Sequence, residues 1–189
     1  MWSLERSVIL MKEKNPFNLD VVSVRLVKDA PIMSGHPITK PEDAVLLLGK
    51  YLCEMDREVL CVINMKTDGT PINCHFASMG SLNESMAHPR EIFKASILSN
   101  AATIMLMHNH PSGHLTPSKH DTMMTDRMAK MCELMGIPLI DHVIVGGDNR
   151  QYFSFKEKKL MEMPKVFLET NYKSLDLSSG LVAEQGKAR

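Results

Sequence analysis

Aromatic residues are scarce in this 189-residue chain, at 5% of positions, whereas methionine occurs 16 times. Core volume must therefore lean on Met and aliphatic side chains, and the Met excess reads as adaptable gap-filling rather than as a Met-lined site. An excess of one charge is also absent: Lys plus Arg and Asp plus Glu both total 22, for a formal net charge of +0. Proteins that grip phosphate backbones carry a basic stripe. The densest basic cluster here, FKEKKL at 155–160, reads as an exposed helix face, so charge gives direct nucleic-acid binding no support. Cys53, Cys61, Cys74 and Cys132 form no C-x-x-C pair, which excludes a zinc ribbon and argues against a secreted disulfide scaffold. Free thiols in a reducing cytoplasm are expected. No apolar stretch reaches the roughly 18 residues of a membrane span, and no N-terminal run resembles a signal peptide. What is present, 44% hydrophobic and 23% charged residues, suits one medium-sized globular domain.

Along the chain, the first twenty residues lack periodicity, and DVVSVRLVK (20–28) then alternates in the manner of a strand. A connection punctuated by Pro and Gly follows. Thr39 and Glu42 have capping-box spacing, and Val45, Leu48 and Leu52 at helical spacing predict a helix ending near Met55. EVLCVIN (58–64) and INCHFAS (72–78), joined by KTDGTP, predict a β-hairpin. A helix over 88–101, a buried strand over 102–108 and a helix from about Ser118 to Met135 come next. Met124, Met128, Met131 and Met135 mark the buried face of that last helix. LIDHVIVGG (139–147) reads as a strand and SFKEKKLME (154–162) as a short helix, after which periodicity fades. Alternating strands and helices around one sheet define an α/β layered domain.

The chemistry concentrates in MHNHPSGHLTPSKHD (107–121). Alternation puts His108 and His110 on one face at the end of a strand, with Asn109 pointing the other way. A strand cannot curl round its own ion, so a third ligand must come from elsewhere; Asp121, in the first turn of the following helix, is well placed. Two His and one carboxylate leave a tetrahedral ion an open position, the pattern of a catalytic rather than a structural zinc site. H-x-H also occurs without metal. His114 and His120 lack a second ligand candidate and read as exposed, and Ser118 reads as a helix N-cap.

The form H-x-H-P-x6-S-x2-D resembles the metal-binding motif of the JAB/MPN (JAMM) metalloprotease superfamily. GSLNESMAHPREIFKASILSNAATIMLMHNHPSG, PSKHD, MGIPLIDHVIVG and YFSF, in order, resemble its RadC-like branch over roughly residues 40–160. The resemblance implies an α/β fold, a single JAB/MPN-like (cytidine-deaminase-like) layered domain with a mixed β-sheet flanked by helices, over 41–163. Residues 1–40 are then an extension of strand and loop, and 164–189 a tail. It implies Zn2+ held by His108, His110 and Asp121, Ser118 supporting an oxyanion, and Glu58, opening the strand EVLCVIN, as general acid/base. One carboxylate within reach of the activated water can serve both proton transfers. Asp141-His142 fits the family pattern, but a His inside LIDHVIVGG reads as a core residue; Arg90 reads as structural. The chain departs from RadC-like proteins in lacking glycine hairpins of a helix-hairpin-helix module within residues 1–40.

The expected function is zinc-dependent hydrolysis of peptide or isopeptide bonds with metal-activated water, on a peptide or protein substrate that the sequence does not identify. The alternative is a DNA-repair or DNA-processing accessory protein without proteolysis, and a non-catalytic scaffold ranks third because every motif ligand is present. A zinc deaminase needs H-x-E with P-C-x-x-C, absent here. An HNH nuclease disperses its residues over a ββα unit. The expected compartment is the cytoplasm, and neither membrane association nor an oligomeric state is indicated.

Overall fold

The structure, a computed structural model, describes residues 23, 25–29, 32, 34–79 and 88–161. Its strands are β1 (Val59–Met65), β2 (Pro71–Met79), β3 (Thr103–His110), β4 (Leu139–Gly146) and β5 (Tyr152–Ser154), in the sheet order β2-β1-β3-β4-β5. β1 and β2 form the expected antiparallel hairpin, its turn closed by the Lys66 N–H donating to the Thr70 carbonyl at 2.9 Å. β1 is also antiparallel to β3, β3 is parallel to β4, and β5 returns antiparallel to β4. The sheet is therefore mixed. Its parallel pair is joined by the helix α4 (Lys119–Met135), as a parallel connection requires a long crossover.

Strict alternation along the central strands builds two cores. Val59, Cys61, Ile63, Met105, Met107, Val143 and Val145 face α1 (Pro41–Ala44), a π-helical turn (Val45–Gly49) and α2 (Lys50–Cys53), which supply Val45, Leu48 and Leu52. Leu60, Val62, Ile104 and Leu106 face α3 (Pro89–Leu98) and α4, which supply Ile92, Phe93, Met128 and Cys132. Helices thus cover both faces, the layered α/β arrangement expected. The four cysteines are free, two of them buried and two half-buried. Among the described residues, no helix is long and apolar enough to cross a membrane.

Several details differ from the sequence reading. Within 20–28, residues 23 and 25–28 form no strand, and Leu26 and Val27 are exposed with no core to enter; the rest of that stretch lies outside the described residues. So do residues 162–189. The first helix is capped at Lys40, and Asp43 rather than Glu42 closes its first turn. The Asp43 Oδ2 accepts from the Thr39 N–H and hydroxyl, both at 2.9 Å, and from the Lys40 N–H at 3.2 Å. Within this helical rod, Gly49 lets Asn149 approach: a Cβ there would lie 2.1 Å from Asn149 Oδ1.

The described part of 154–162, residues 154–161, holds no helix. Tyr152–Ser154 is a strand too short to show an alternation, and residues 155–159 turn back, closed by the Leu160 N–H to the Phe155 carbonyl at 2.8 Å with Lys159 at φ 57°. On α4 the buried stripe is Asp121, Thr122, Thr125, Met128 and Cys132; Met124 and Met131 flank it, and Met135 is exposed at the C-terminal end. The N-terminal half of the stripe is polar because it faces the histidines.

Candidate metal centre

β3 alternation sends Met105 and Met107 to the α1/α2 face, so His108 and His110 point to the side of α3 and α4. After β3 the chain must reverse. The Gly113 N–H donates to the His110 carbonyl at 2.9 Å, and Gly113 adopts φ 77°, a conformation that glycine takes without strain. Ser118 then caps α4 in a reciprocal box: the Asp121 N–H donates to Ser118 Oγ at 3.2 Å, and the Ser118 N–H donates to Asp121 Oδ2 at 2.6 Å. The cap that starts the helix also fixes the Asp121 carboxylate beneath the histidines.

Three donor atoms converge. His108 Nε2 and His110 Nε2 are 3.0 Å apart, His108 Nε2 lies 3.2 Å from Asp121 Oδ1, and His110 Nε2 lies 3.4 Å from Asp121 Oδ2. A tetrahedral ion with bonds of about 2.0–2.1 Å holds neighbouring ligand atoms about 3.3 Å apart. The side chains of His108 and Asp121 are 2% and 5% exposed, and that of His110 is 13% exposed, so these three side chains are largely shielded from solvent. Glu58 completes it: one ligand-type atom from each of Glu58, His108, His110 and Asp121 lies within 4.8 Å of the others, with Glu58 exposed.

The protons at His110 follow from one contact. His110 Nδ1 lies 2.6 Å from the His114 carbonyl, which can only accept, so Nδ1 carries the hydrogen and Nε2 of a neutral ring presents a lone pair. His114 therefore contributes its backbone, while its side chain, like that of His120, is exposed. A lone pair and a carboxylate aimed at one point suit a cation.

Glu58 precedes β1, and Asn109 holds the segment around it. Buried on the α1/α2 face, Asn109 accepts from the Val59 N–H through Oδ1 at 2.8 Å and donates from Nδ2 to the Arg57 carbonyl at 2.9 Å. These bonds bracket Glu58. Asn109→Ala should cost about 1–3 kcal/mol, because buried backbone groups lose their partners. Denaturant midpoints at constant slope measure this loss. Zn2+ titration should show unchanged affinity, since no metal-facing atom is removed. Wild-type stability in this variant would contradict the bracket.

His142, which the sequence reading left in the core, also touches the centre, together with Thr125, for which the sequence offered no reading. His142 Nε2 lies 2.8 Å from His108 Nδ1, and His142 Nδ1 lies 2.6 Å from Thr125 Oγ1. The His142 ring stacks on Phe155 at 5.0 Å and 6°. Complete burial holds the His142 imidazole well below the ordinary histidine range, so it is a neutral ring. The only sequence signal was the DH pair itself. Arg90 is exposed beside Glu91, away from these contacts.

Without metal, protons take the place of the cation. Burial pulls His110 down, but the Asp121 carboxylate and the His114 carbonyl outweigh it and hold the ring above its ordinary range. Burial likewise pushes Asp121 up, but the contacts with the His110 ring and with Ser118 help to outweigh it and hold its carboxyl far below the usual range. A raised His contributes stability that is complete below its unfolded value, about 6.5, and is lost as pH rises through the folded value. A depressed Asp contributes stability present above about 3.9 and lost as pH falls through its folded value. The metal-free protein should therefore lose Tm as pH rises past the raised His110 value. A Zn2+ ion bound there would compete for the same nitrogen, so the Tm increment it produces should grow with pH. Thermal scans with and without Zn2+ between about pH 5 and 9 check this; an increment that shrinks with pH contradicts it.

The mixed sheet, the H-x-H strand end and the carboxylate in the next helical turn define a layered α/β domain with a candidate metal centre. Residues 38–160 match the family model for the RadC-like JAB domain. The chain is 42% identical over 124 residues to a UPF0758 protein of Clostridium beijerinckii, covering 66% of this chain and 53% of that one. It is 41% identical over 128 residues to a UPF0758 protein of Rubrobacter xylanophilus, covering 67% and 55%. It is 42% identical over 129 residues to one of Moorella thermoacetica, covering 68% and 56%. The chain belongs to the RadC-like JAB domain family. It spans about half the length of the curated relatives it matches.

Proposed function

We propose that this protein is a zinc-dependent hydrolase of peptide or isopeptide bonds, with its catalytic unit in residues 41–163 and with 1–40 and 164–189 as appendages. The observation that carries the reading is the convergence of His108 Nε2, His110 Nε2 and the Asp121 carboxylate at 3.0–3.4 Å beside an exposed Glu58. Zinc bound by three protein ligands supplies Lewis acidity and lowers the pKa of water. Glu58 takes the proton released when water attacks the carbonyl carbon and returns one to the departing amine. Ser118, at the exposed start of α4, is the donor assigned to the developing oxyanion. Its Oγ already accepts the Asp121 N–H, which leaves the hydroxyl proton to give. The free cysteines suit action in a reducing cytoplasm.

The test is elemental analysis of the purified full chain, then digestion of a peptide library and a panel of isopeptide-linked substrates by the Zn2+-loaded protein and by Glu58→Gln. Stoichiometric zinc with Glu58-dependent cleavage is expected. A protein that takes up no zinc, or cleavage that persists undiminished in Glu58→Gln, overturns the reading.

A further inference from the structure

We infer that His142 and Thr125 are positioning residues that lock His108 in the Nδ1–H tautomer, so that its Nε2 lone pair is already aimed at the metal before any metal arrives. The inference rests on the metal-centre reading above, and adds to it how one ligand is prepared.

The proton order follows from the far end of a hydrogen-bonded chain. Thr125 Oγ1 lies 2.6 Å from the Asp121 backbone carbonyl, an acceptor only, so the single hydroxyl proton of Thr125 is committed there. Thr125 Oγ1 also lies 2.6 Å from His142 Nδ1 and must accept in that contact, which puts a proton on His142 Nδ1. His142 is completely buried, and no carboxylate appears among its hydrogen-bond or ring contacts, so a second proton would put a charge in the interior with no counter-ion hydrogen-bonded to it, a cost that outweighs the pull of the Asp121 carboxylate. Its Nε2 is then an acceptor. The remaining contact, His108 Nδ1 to His142 Nε2 at 2.8 Å, can only be a donation from His108. With Nδ1 protonated in a neutral ring, His108 Nε2 carries the lone pair.

The chain has another effect. It starts at a ligand on β3, passes through β4 and ends on the backbone of Asp121, itself a ligand, on α4. Phe155 stacked on His142 restricts the ring to the plane in which both bonds are made. Phe155 is in turn held by the turn after β5, where Asp141 accepts from the Ser154 hydroxyl at 2.6 Å and from the Lys156 N–H at 2.9 Å. Partners of this kind set tautomer and ring orientation, and their loss costs about 10- to 100-fold in metal affinity.

The experiment uses the full chain with 15N-labelled histidine, free of metal, and reads tautomers from long-range 1H–15N correlation spectra. Wild type is expected to show His108 as Nδ1–H. His142→Leu removes the acceptor, and the Nε2–H form of His108 should appear; Zn2+ affinity by calorimetry should fall about 10- to 100-fold. His142→Gln, whose amide oxygen can stand where Nε2 stood, should restore both. Thr125→Val removes the far end of the chain with little change in shape, and serves should His142→Leu fail to fold; it should shift tautomer and affinity in the same direction. His108 found as Nε2–H in metal-free wild type overturns the inference. So does Zn2+ binding unchanged in folded His142→Leu or Thr125→Val. Failure of the metal reading looks different: wild type would take up no Zn2+, whatever the tautomer of His108.

Discussion

Glu58→Gln is expected to lower kcat/KM for peptide cleavage by about 10²- to 10⁴-fold while the protein keeps its zinc. The substitution preserves shape and one carbonyl oxygen but removes the ability to take and return a proton. Glu58 is exposed and precedes β1, so its neutral replacement should leave the fold and its stability nearly unchanged. The atoms at 3.0–3.4 Å proposed to face the metal belong to His108, His110 and Asp121, so a bound ion should stay. Measuring kcat/KM and metal content on the same sample separates the roles. Full turnover would remove Glu58 from the mechanism, and simultaneous loss of zinc and activity would make it a ligand instead of a base.

Replacement of Asp121 should have the second-largest effect, and here two variants are needed because the carboxylate has two duties. Asp121→Ala removes a proposed metal ligand and also one half of the box that starts α4. The lost cap should cost about 0.5–2 kcal/mol. Asp121→Asn retains an amide oxygen that can accept the Ser118 N–H, so helix content and most of the cap energy should survive. Both variants lose the negative charge opposite His108 and His110, and both should bind Zn2+ more weakly than the roughly 10- to 100-fold loss expected for an outer partner. Calorimetric Zn2+ titration checks affinity, and thermal unfolding of the metal-free forms checks the cap. Wild-type affinity in Asp121→Asn would show that the carboxylate is a helix cap alone.

What can be read from the sequence divides along local and non-local lines. The meeting of His108, His110 and Asp121 follows from strand alternation, a tight return and one helical turn, all within a single stretch. The hairpin of β1 and β2 follows from a turn signal between two apolar runs. Glu58 joins that group across the sheet, and only the family resemblance singled it out, because no local rule says which strand pairs with β3. The same blindness hid His142 and Asn109. Whether a histidine in LIDHVIVGG is a core residue or a neighbour of a ligand depends on β4 lying beside β3 in parallel register. Asn109 does point away from the histidines, as alternation demands, but its two partners are Val59, which opens β1, and Arg57 just before it. β5 escaped notice because three residues cannot display a period, and the turn after it resembles a helix in composition.

The antiparallel pairing of β1 with β3 places the beginning of one strand beside the end of the other, and this separates two kinds of integrity. The three residues proposed as ligands come from one continuous segment, His108 to Asp121, and their convergence depends less on long-range pairing than the approach of Glu58 does. Glu58, the proposed proton carrier, joins them from a distant part of the chain through the pairing of β1 with β3. Zinc content alone would therefore overstate the fraction of competent molecules in a preparation, and a partly unfolded variant could stay metallated yet inert. On the proposed function, turnover per bound zinc would be a stricter gauge of nativeness than zinc content, and the one to tell damaged from intact protein.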